Sequence, residues 1–187
     1  MKIALQGISG SFNEVAALEF SQRHHFPEVS LSYAVSAENV LAAIENHEAD
    51  YGVVAIVNNQ GGLVKETLKA ITVHRCSYVD QLTLPIHHAL LVLSDLASND
   101  LTEVCSHPQA LKQCTSTLKA NYPNASTTPM DDTALSAKLL SEGKLPKTAG
   151  AIAHARCAEI YGLKVLQDNL QDRDDNQTTF LLLSPLS

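Results

Sequence analysis

Positive charge is scarce in this chain, and its shortage limits the partners that the protein can have. The 187 residues include 13 Lys and Arg against 20 Asp and Glu, which gives a formal net charge of −7 at pH 7. No basic stripe is present to neutralise phosphates, so a nucleic-acid partner is disfavoured. An anionic membrane surface is disfavoured for the same reason. A small anion is compatible with this charge, because local N–H dipoles can outweigh a distant net charge.

Apolar runs of membrane-spanning length, zinc-ligand spacings and secretion signals are also missing. No stretch is long enough to span a membrane. The apolar run behind Met1 is too short for a signal peptide, so the cytoplasm is the expected compartment. The cysteines form no C-x-x-C, which favours reduced, partly buried thiols over a metal site or a nucleophile. They are Cys76, Cys105, Cys114 and Cys157.

The residues that are present fit a soluble α/β protein. Apolar residues make up 45% and charged residues 18% of the chain, which is ordinary for a globular protein. Strands are predicted at Lys2–Gln6, Val29–Val35 and Tyr51–Val57, with helical stripes between and after them. The last of these runs is continuously apolar, which is typical of a parallel strand covered on both faces. The first 75 residues or so therefore read as β-α-β-α-β-α.

A second alternating series follows the long apolar stretch Leu82–Ser94, which predicts one bent strand or two strand pieces. The final strand, Thr178–Leu183, stands behind a polar stretch and is predicted to return to the first series. We therefore expect two α/β lobes with a hinged central cleft: 1–80 plus 175–187, and 81–174. The remaining predicted strands are Glu103–Ser106 and Ala149–Ala153, and the predicted helix-terminal residues are Ser36, Pro108, Asp132 and Gly162.

Polar junctions beside the predicted strands and helices are the candidate binding residues. Strand-to-helix turns of an α/β sheet collect at one edge, where small ligands bind. Their Ser, Thr, Asn, Gln and Gly residues suit a small oxygen-rich anion held by backbone N–H groups and hydroxyls. No metal-ligand cluster or phosphate loop accompanies them. The junctions are Gly7–Asn13, Asn58–Gly62, Ser106–Gln109, Asp131–Thr133 and Asn176–Thr179.

Each junction taken singly also has an ordinary structural interpretation. Gly7–Asn13 is typical of a capped turn, and Thr178 and Thr179 have good β-propensity. His107 is interpreted as a solvated or capping histidine. His88, which apolar residues flank, is interpreted as a core histidine rather than a ligand.

The order of the motifs along the chain is more specific than any one of them. The series G-x-x-G-S-F-N, D-Y-G-V-V-x-I-x-N, I-x-H-x-L, S-H-P-Q-A-L-x-Q-C, T-A, A-A/G-I-A, Y-G-L and N-x-T-x-F resembles the prephenate dehydratase catalytic domain from Lys2 to about Leu183. The resemblance implies a two-lobed fold similar to type II periplasmic binding proteins. It implies conversion of prephenate to phenylpyruvate in phenylalanine biosynthesis, with no metal or organic cofactor.

The resemblance also implies roles for individual residues. The family's catalytic threonine hydroxyl falls on Thr178, and a second histidine position falls on His88. The expected partner is prephenate or a similar carboxylate, and homo-oligomerisation is left open. The residues expected to bind substrate are Ser11, Asn13, Asn58, Asn59, Ser106, His107, Gln109, Thr179 and Phe180.

The chain departs from the family pattern at several positions. Thr179 stands where the family motif T-R-F has arginine, and Val57 stands where P-I-E-N-S has glutamate. Backbone N–H groups at the Gly10 and Gly61 turns, or Arg173, are the expected compensation for substrate charge, although Arg173 is rather expected to pair with a neighbouring Asp. The departures leave open a divergent carboxylate-binding protein or a non-aromatising decarboxylase. No regulatory ACT domain and no chorismate mutase domain are expected.

Overall fold

The computed structural model describes residues 1–186, which divide into two compact units. The first unit comprises Met1–Ile8, Phe12–Ile86 and the described residues from Asn176 onward. The second comprises Ser9–Ser11 and His87–Asp175. The first unit thus runs beyond the boundary at residue 80 that the sequence suggested, because the strand that crosses this position belongs to its sheet. Within residues 1–186, no helix is both long enough and apolar enough to cross a lipid bilayer.

Helices and short strands alternate along most of the chain. The elements up to the end of the first sheet's fifth strand are β1 (Lys2–Gln6), α1 (Phe12–Arg23), β2 (Ser30–Val35), α2 (Ala37–Glu45), β3 (Tyr51–Asn58), β4 (Gly62–Leu63), α3 (Lys65–Val73) and β5 (Cys76–Pro85). The later elements are β6 (Ala89–Val92), β7 (Glu103–Ser106), α4 (Pro108–Gln113), α5 (Thr115–Asn121), β8 (Ser126–Pro129), α6 (Thr133–Ser141), β9 (Ala149–Ala153), α7 (Arg156–Tyr161), β10 (Lys164–Gln167) and β11 (Gln177–Pro185).

The sheet of the first unit has the strand order β2-β1-β3-β11-β5, and β4 pairs with β3. Strand β1 is parallel to β2 and β3, as short helical crossovers require. Strand β11 is antiparallel to both of its neighbours, β3 and β5. The last strand therefore lies in the sheet of the first strands, and its register places Thr178 opposite Asn58.

Two apolar clusters cover the faces of this sheet. Ile3, Leu5 and Val53 pack with Phe20 of α1 and with Phe180 of β11. In the second cluster, Val40, Leu41 and Ile44 of α2 pack with Ala4 and Val54. The adjacent residues Val53 and Val54 of β3 point to opposite faces and belong to different clusters. Both faces of the strand are therefore buried, which is why its sequence is continuously apolar.

The sheet of the second unit has the order β10-β6-β9-β7-β8. Strand β7 is parallel to β8 and β9, whereas β6 is antiparallel to β9 and β10. Every residue of β9 is buried, and a Cβ at Gly150 would lie 2.8 Å from Leu90 Cδ1. Close packing between neighbouring strands and the layer above them therefore accounts for the small residues of A-G-A-I-A.

The structure decides between the two alternatives for Leu82–Ser94 and adds three strands to the sequence interpretation. The stretch forms two strand pieces, because β5 ends at Pro85 in the first sheet and β6 begins at Ala89 in the second. Strands β4, β8 and β10 were missed, since they are short and none carries a continuous apolar run.

The helix ends agree with the sequence. Ser36 Oγ accepts a hydrogen bond from Asn39 N, and Asp132 Oδ1 accepts one from Leu135 N. Pro108 opens α4, and Gly162 ends α7 at a positive φ of 65°. These predicted caps are confirmed.

Candidate functional site

The Thr178 hydroxyl lies at the start of β11, where the strand pairs with the end of β3. The residue is only 8% exposed, and its Oγ1 accepts a hydrogen bond of 2.9 Å from Asn58 Nδ2. No other described side chain makes a hydrogen bond with this oxygen. The hydroxyl hydrogen of Thr178 is therefore available to a bound molecule, and its oxygen is already oriented by an amide.

Both ends of the Asn58 side chain have defined partners. Its Oδ1 accepts hydrogen bonds from the backbone N–H groups of Gln60 (3.0 Å) and Gly61 (2.7 Å). The two hydrogens of its Nδ2 are shared among Asn176 Oδ1 (2.8 Å), Thr178 Oγ1 (2.9 Å) and Gln177 O (3.0 Å). A flipped amide would place its NH2 group against two N–H donors, so the network fixes the orientation. The Gly61 N–H is therefore engaged by Asn58, and compensation of substrate charge by other N–H groups of this turn stays a prediction.

The other predicted residues of this region have structural contacts. Asn59 Oδ1 accepts a hydrogen bond of 2.9 Å from Gln177 N, which ties the Asn58–Gly62 turn to the start of β11. Thr179 Oγ1 lies 2.8 Å from Thr83 Oγ1 of β5. Phe180 is 1% exposed and packs in the core of the first unit. Packing accounts for an aromatic residue at position 180, and its contact with substrate stays a prediction.

The Gly7–Asn13 loop places Ser11 and Asn13 around the start of α1. Ser11 is 3% exposed, and its neighbours Ser9 and Gly10 group with the second unit. Asn13 Oδ1 is buried and has no hydrogen-bond partner among residues 1–186. A buried amide oxygen without a donor is costly, so an N–H or O–H group of a bound molecule would stabilise it.

The Ser106–Gln109 segment connects β7 to α4 in the second unit. Ser106 is fully buried, and its Oγ donates to Ile152 O of β9 at 2.6 Å. His107 Nδ1 accepts a hydrogen bond of 3.2 Å from Gln109 N. The capping interpretation of His107 is therefore confirmed, and the serine joins two strands. Their contacts with substrate stay predictions.

His88 forms a buried pair with Gln113, a partner that the sequence analysis did not single out. His88 Nε2 lies 2.9 Å from Gln113 Oε1, and His88 N donates to Gln171 Oε1 at 2.9 Å. Burial lowers the pKa of His88, against a smaller opposing effect of the Gln113 bond, so the imidazole is neutral near pH 7. The sequence signal that could have pointed to Gln113 was its spacing from Gln109, because residues four apart share a helical face.

The polar stretch before β11 is bound to the second unit along part of its length. Asp172 N donates to Gln113 O at 2.7 Å, and the Asp172 carboxylate accepts from the N–H groups of Ser116 and Thr117. Burial opposes ionisation of Asp172, but these N–H groups outweigh it and lower its pKa. Arg173 instead forms a bidentate pair with Asp175 on the surface.

Metal binding and thiol nucleophilicity depend on how the candidate side chains are grouped and buried. Across residues 1–186, no group of three or more His, Cys, Asp or Glu side chains is arranged to hold a metal ion. All four cysteines are free thiols. Burial raises the pKa of Cys105 to about 11 and that of Cys114 to about 12, so neither is a ready nucleophile.

Comparison with known proteins agrees with the resemblance seen in the sequence. The family model "Prephenate dehydratase" matches residues 3–186. Arogenate dehydratase/prephenate dehydratase 6, chloroplastic, of Arabidopsis thaliana is 36% identical over 184 residues, which are 98% of this chain and 43% of the relative. The bifunctional chorismate mutase/prephenate dehydratase of Pseudomonas aeruginosa is 31% identical over 98% of this chain and 48% of its own length. The chain thus spans less than half the length of these relatives.

A solved structure shows the same fold. The prephenate dehydratase of Arthrobacter aurescens, determined in complex with L-Phe, aligns with a TM-score of 0.90 and 26% identity, over all of this chain and 61% of that one. The expected α/β fold class is confirmed by this agreement and by the two mixed sheets. With the family model covering nearly the whole sequence, the chain belongs to the prephenate dehydratase family.

Proposed function

We propose that the protein is a prephenate dehydratase, which converts prephenate to phenylpyruvate with loss of carbon dioxide and of the ring hydroxyl. The observation that carries the proposal is the buried Thr178 hydroxyl, which is oriented by Asn58 in a chain of this family. The two relatives are named as dehydratases, which supports the proposal. This chain corresponds to less than half of the length of each, so their activity is carried over here as a proposal.

The chemistry asks for orientation more than for a strong acid. Breaking the carbon–carbon bond to the carboxylate releases carbon dioxide and sends an electron pair into the ring. The ring then becomes aromatic as its carbon–oxygen bond breaks, and the leaving oxygen takes up a proton to become water. Thr178 acts as a fixed hydrogen-bond donor to that leaving oxygen. The amide of Asn58 donates to Thr178 Oγ1 and so polarises the hydroxyl further.

Substrate charge is balanced by neutral donors in this proposal. Position 179 carries a threonine that bonds Thr83, and Arg173 is engaged by Asp175. The start of α1, where Ser11 and Asn13 lie, is the proposed carboxylate contact, because the positive end of a helix dipole attracts an anion. The remaining predicted contacts, Asn59, Ser106, His107, Gln109 and Phe180, are retained as proposals.

Arogenate is the second candidate substrate, because the Arabidopsis relative carries both activities in its name. Arogenate has an amino group where prephenate has a keto oxygen, so its dehydration yields phenylalanine. Assays with both substrates, reading phenylpyruvate and phenylalanine, separate the two candidates. If neither product forms while a small carboxylate binds, the divergent non-dehydratase alternative replaces the proposal.

The test of the catalytic assignment compares Thr178→Ala with Thr179→Ala. Positioned donors of this kind contribute roughly 10²–10³ in rate, so Thr178→Ala should lower turnover by about that factor. Thr179→Ala removes a neutral hydrogen bond to Thr83 and should cost about tenfold or less. Thermal unfolding of both variants checks that the fold is kept. Equal activity of the two variants would contradict the role given to Thr178.

A further inference from the structure

Three residues of the loop between β1 and α1 belong to the second unit. Ser9–Ser11 group with it, although Ile8 before them and Phe12 after them belong to the first. Within this turn Gly10 has a φ of +87°, a left-handed conformation that residues with a side chain rarely adopt. The turn leads through Ser11 into the first residue of α1, so the backbone conformation of Gly10 sets the direction in which the chain leaves the turn.

Two side chains of α7 hold the turn by its carbonyl groups. The Tyr161 hydroxyl donates to Ser9 O at 2.6 Å, and Cys157 Sγ donates to Gly10 O at 3.4 Å. A Cβ at Gly10 would lie only 2.5 Å from Cys157 Sγ. The helix therefore approaches the backbone of the turn so closely that a side chain at position 10 would displace it.

The end of α7 places these two side chains together. Cys157 and Tyr161 are four residues apart and so lie on the same helical face. The helix ends immediately after Tyr161, where Gly162 adopts a φ of +65° and the Leu163 N–H bonds Ala158 O at 2.9 Å. Leu163 is then buried, at 8% exposure. These contacts give a physical role to the Y-G-L motif, which the catalytic proposal leaves without one.

We propose that Tyr161 is a positioning residue for the substrate-binding turn Ser9–Ser11, an assignment that rests on the proposed function. Its phenol sets the Ser9 carbonyl, and through it the backbone of Gly10 and Ser11 before α1. Tyr161 acts through this backbone and does not itself touch the substrate. Loss of the phenol therefore weakens substrate binding while the Thr178 chemistry proceeds as before.

The test uses Tyr161→Phe, which deletes the hydroxyl and keeps the ring. Hydrogen exchange of the amides in residues 9–12 should become about two- to tenfold faster, since one neutral hydrogen bond is lost. KM for the accepted substrate should rise by a similar factor, with kcat changed by less than about twofold. Tyr122→Phe is the matched control, because the Tyr122 hydroxyl bonds Gln167 Oε1 in the same unit, away from the turn.

The outcomes separate this proposal from the proposed function. Unchanged exchange in Tyr161→Phe overturns the anchoring of the turn, whatever the activity. Faster exchange with unchanged KM, or equal effects in Tyr122→Phe, overturns the positioning role. The wild-type protein could turn over neither prephenate nor arogenate while hydrogen exchange at residues 9–12 is still faster in Tyr161→Phe. That result would support the anchoring of the turn by Tyr161 and overturn the dehydratase function.

Discussion

At the scale of single residues, Asn58 does two tasks with one amide. Its oxygen closes the turn after β3, and its nitrogen holds Thr178 and Asn176. Each end of the amide is satisfied by groups of opposite polarity, which is what a buried polar network requires. An asparagine is therefore demanded here by hydrogen bonding as well as by turn geometry.

Asn58→Asp separates the two tasks. The carboxylate keeps the oxygen that accepts from Gln60 and Gly61, but it replaces the donor to Thr178 by a second acceptor. We expect a loss of stability of about 1–3 kcal/mol in urea unfolding and a fall in turnover of at least about tenfold. Asn121→Asp is the control, because it loses an exposed hydrogen bond from the Asn121 side-chain amide to Gln167 Oε1. It should change neither the stability nor the turnover appreciably. Full activity of Asn58→Asp would show that Thr178 does not depend on the amide.

The neighbouring residues Thr178 and Thr179 show why adjacency in sequence does not mean a shared role. Successive side chains of a strand point to opposite faces. Thr178 is buried beside Asn58, whereas Thr179 is half-buried against Thr83. Thr179 therefore cannot replace Thr178 as the hydroxyl donor.

At the scale of elements, one histidine joins α2 to the end of α3. His74 caps α3, and its Nδ1 and Nε2 lie 2.7 Å and 2.9 Å from carboxylate oxygens of Glu45 and Glu38 on α2. Both ring nitrogens face carboxylate acceptors, so the protonated ring, with hydrogen on both nitrogens, is the form that satisfies both contacts. The bonds to Glu45 and then Glu38 raise the pKa of His74, although burial opposes them.

This contact predicts a pH-dependent stability. Because the folded-state pKa of His74 lies above 6.5, its contribution is complete below pH 6.5 and is lost as pH rises through the folded value. The His74 bond, followed by the Arg75 N–H, lowers the pKa of Glu45 below 4.5, so its contribution is lost as pH falls through that lower value. Besides Glu38, the neighbouring titratable groups are Arg75, whose charge also lowers the pKa of Glu45, and Cys76, whose thiol pKa is raised by burial and by Glu45.

The measurement is the urea midpoint as a function of pH. His74→Gln should lower the midpoint at pH 6 and converge with the wild type at high pH, where the wild-type ring has lost its proton. Glu38→Gln should give a smaller change of the same sign, since one carboxylate contact is left. A constant difference between His74→Gln and wild type across the pH range would contradict the ionic contribution.

At the scale of the whole molecule, the two units differ in how the chain builds their sheets. Residues 87–175 contain β6–β10 and α4–α7, so the second sheet is contiguous in sequence. The first sheet needs β11 from the end of the chain, because this strand stands between β3 and β5. Phe180 and Leu182 of β11 also belong to the core of the first unit.

We therefore expect residues 87–175 to fold alone and residues 1–86 not to fold. Circular dichroism should show cooperative thermal unfolding for the first fragment and none for the second. A third chain, 1–86 joined to 176–186 by a short glycine linker, should recover folding, because Ile86 N donates to Asn176 O at 2.8 Å. Cooperative folding of 1–86 by itself would show that β11 is dispensable for that core.

The sequence by itself determined the α/β class, the helix caps and the family. Caps and buried strands depend on contacts within a few residues, as Ser36 with Asn39 and Asp132 with Leu135 show. The continuous apolar run of β3 likewise reports burial on both faces. The sequence left open whether residues 82–94 form one strand or two, because an apolar run does not say which sheet a strand joins.

Only the tertiary structure decided what each polar side chain contacts. Asn58 and Thr178 are separated by 120 positions, and Tyr161 and Ser9 by 152. His88, which apolar residues flank in the sequence, forms a hydrogen bond with Gln113, 25 positions further along the chain. Composition and periodicity indicate the average burial of a segment. They do not indicate the partner of a hydrogen bond, because strand register and helix packing between distant parts of the chain set that partner. The roles of these polar residues were for this reason the part of the protein that its sequence left open.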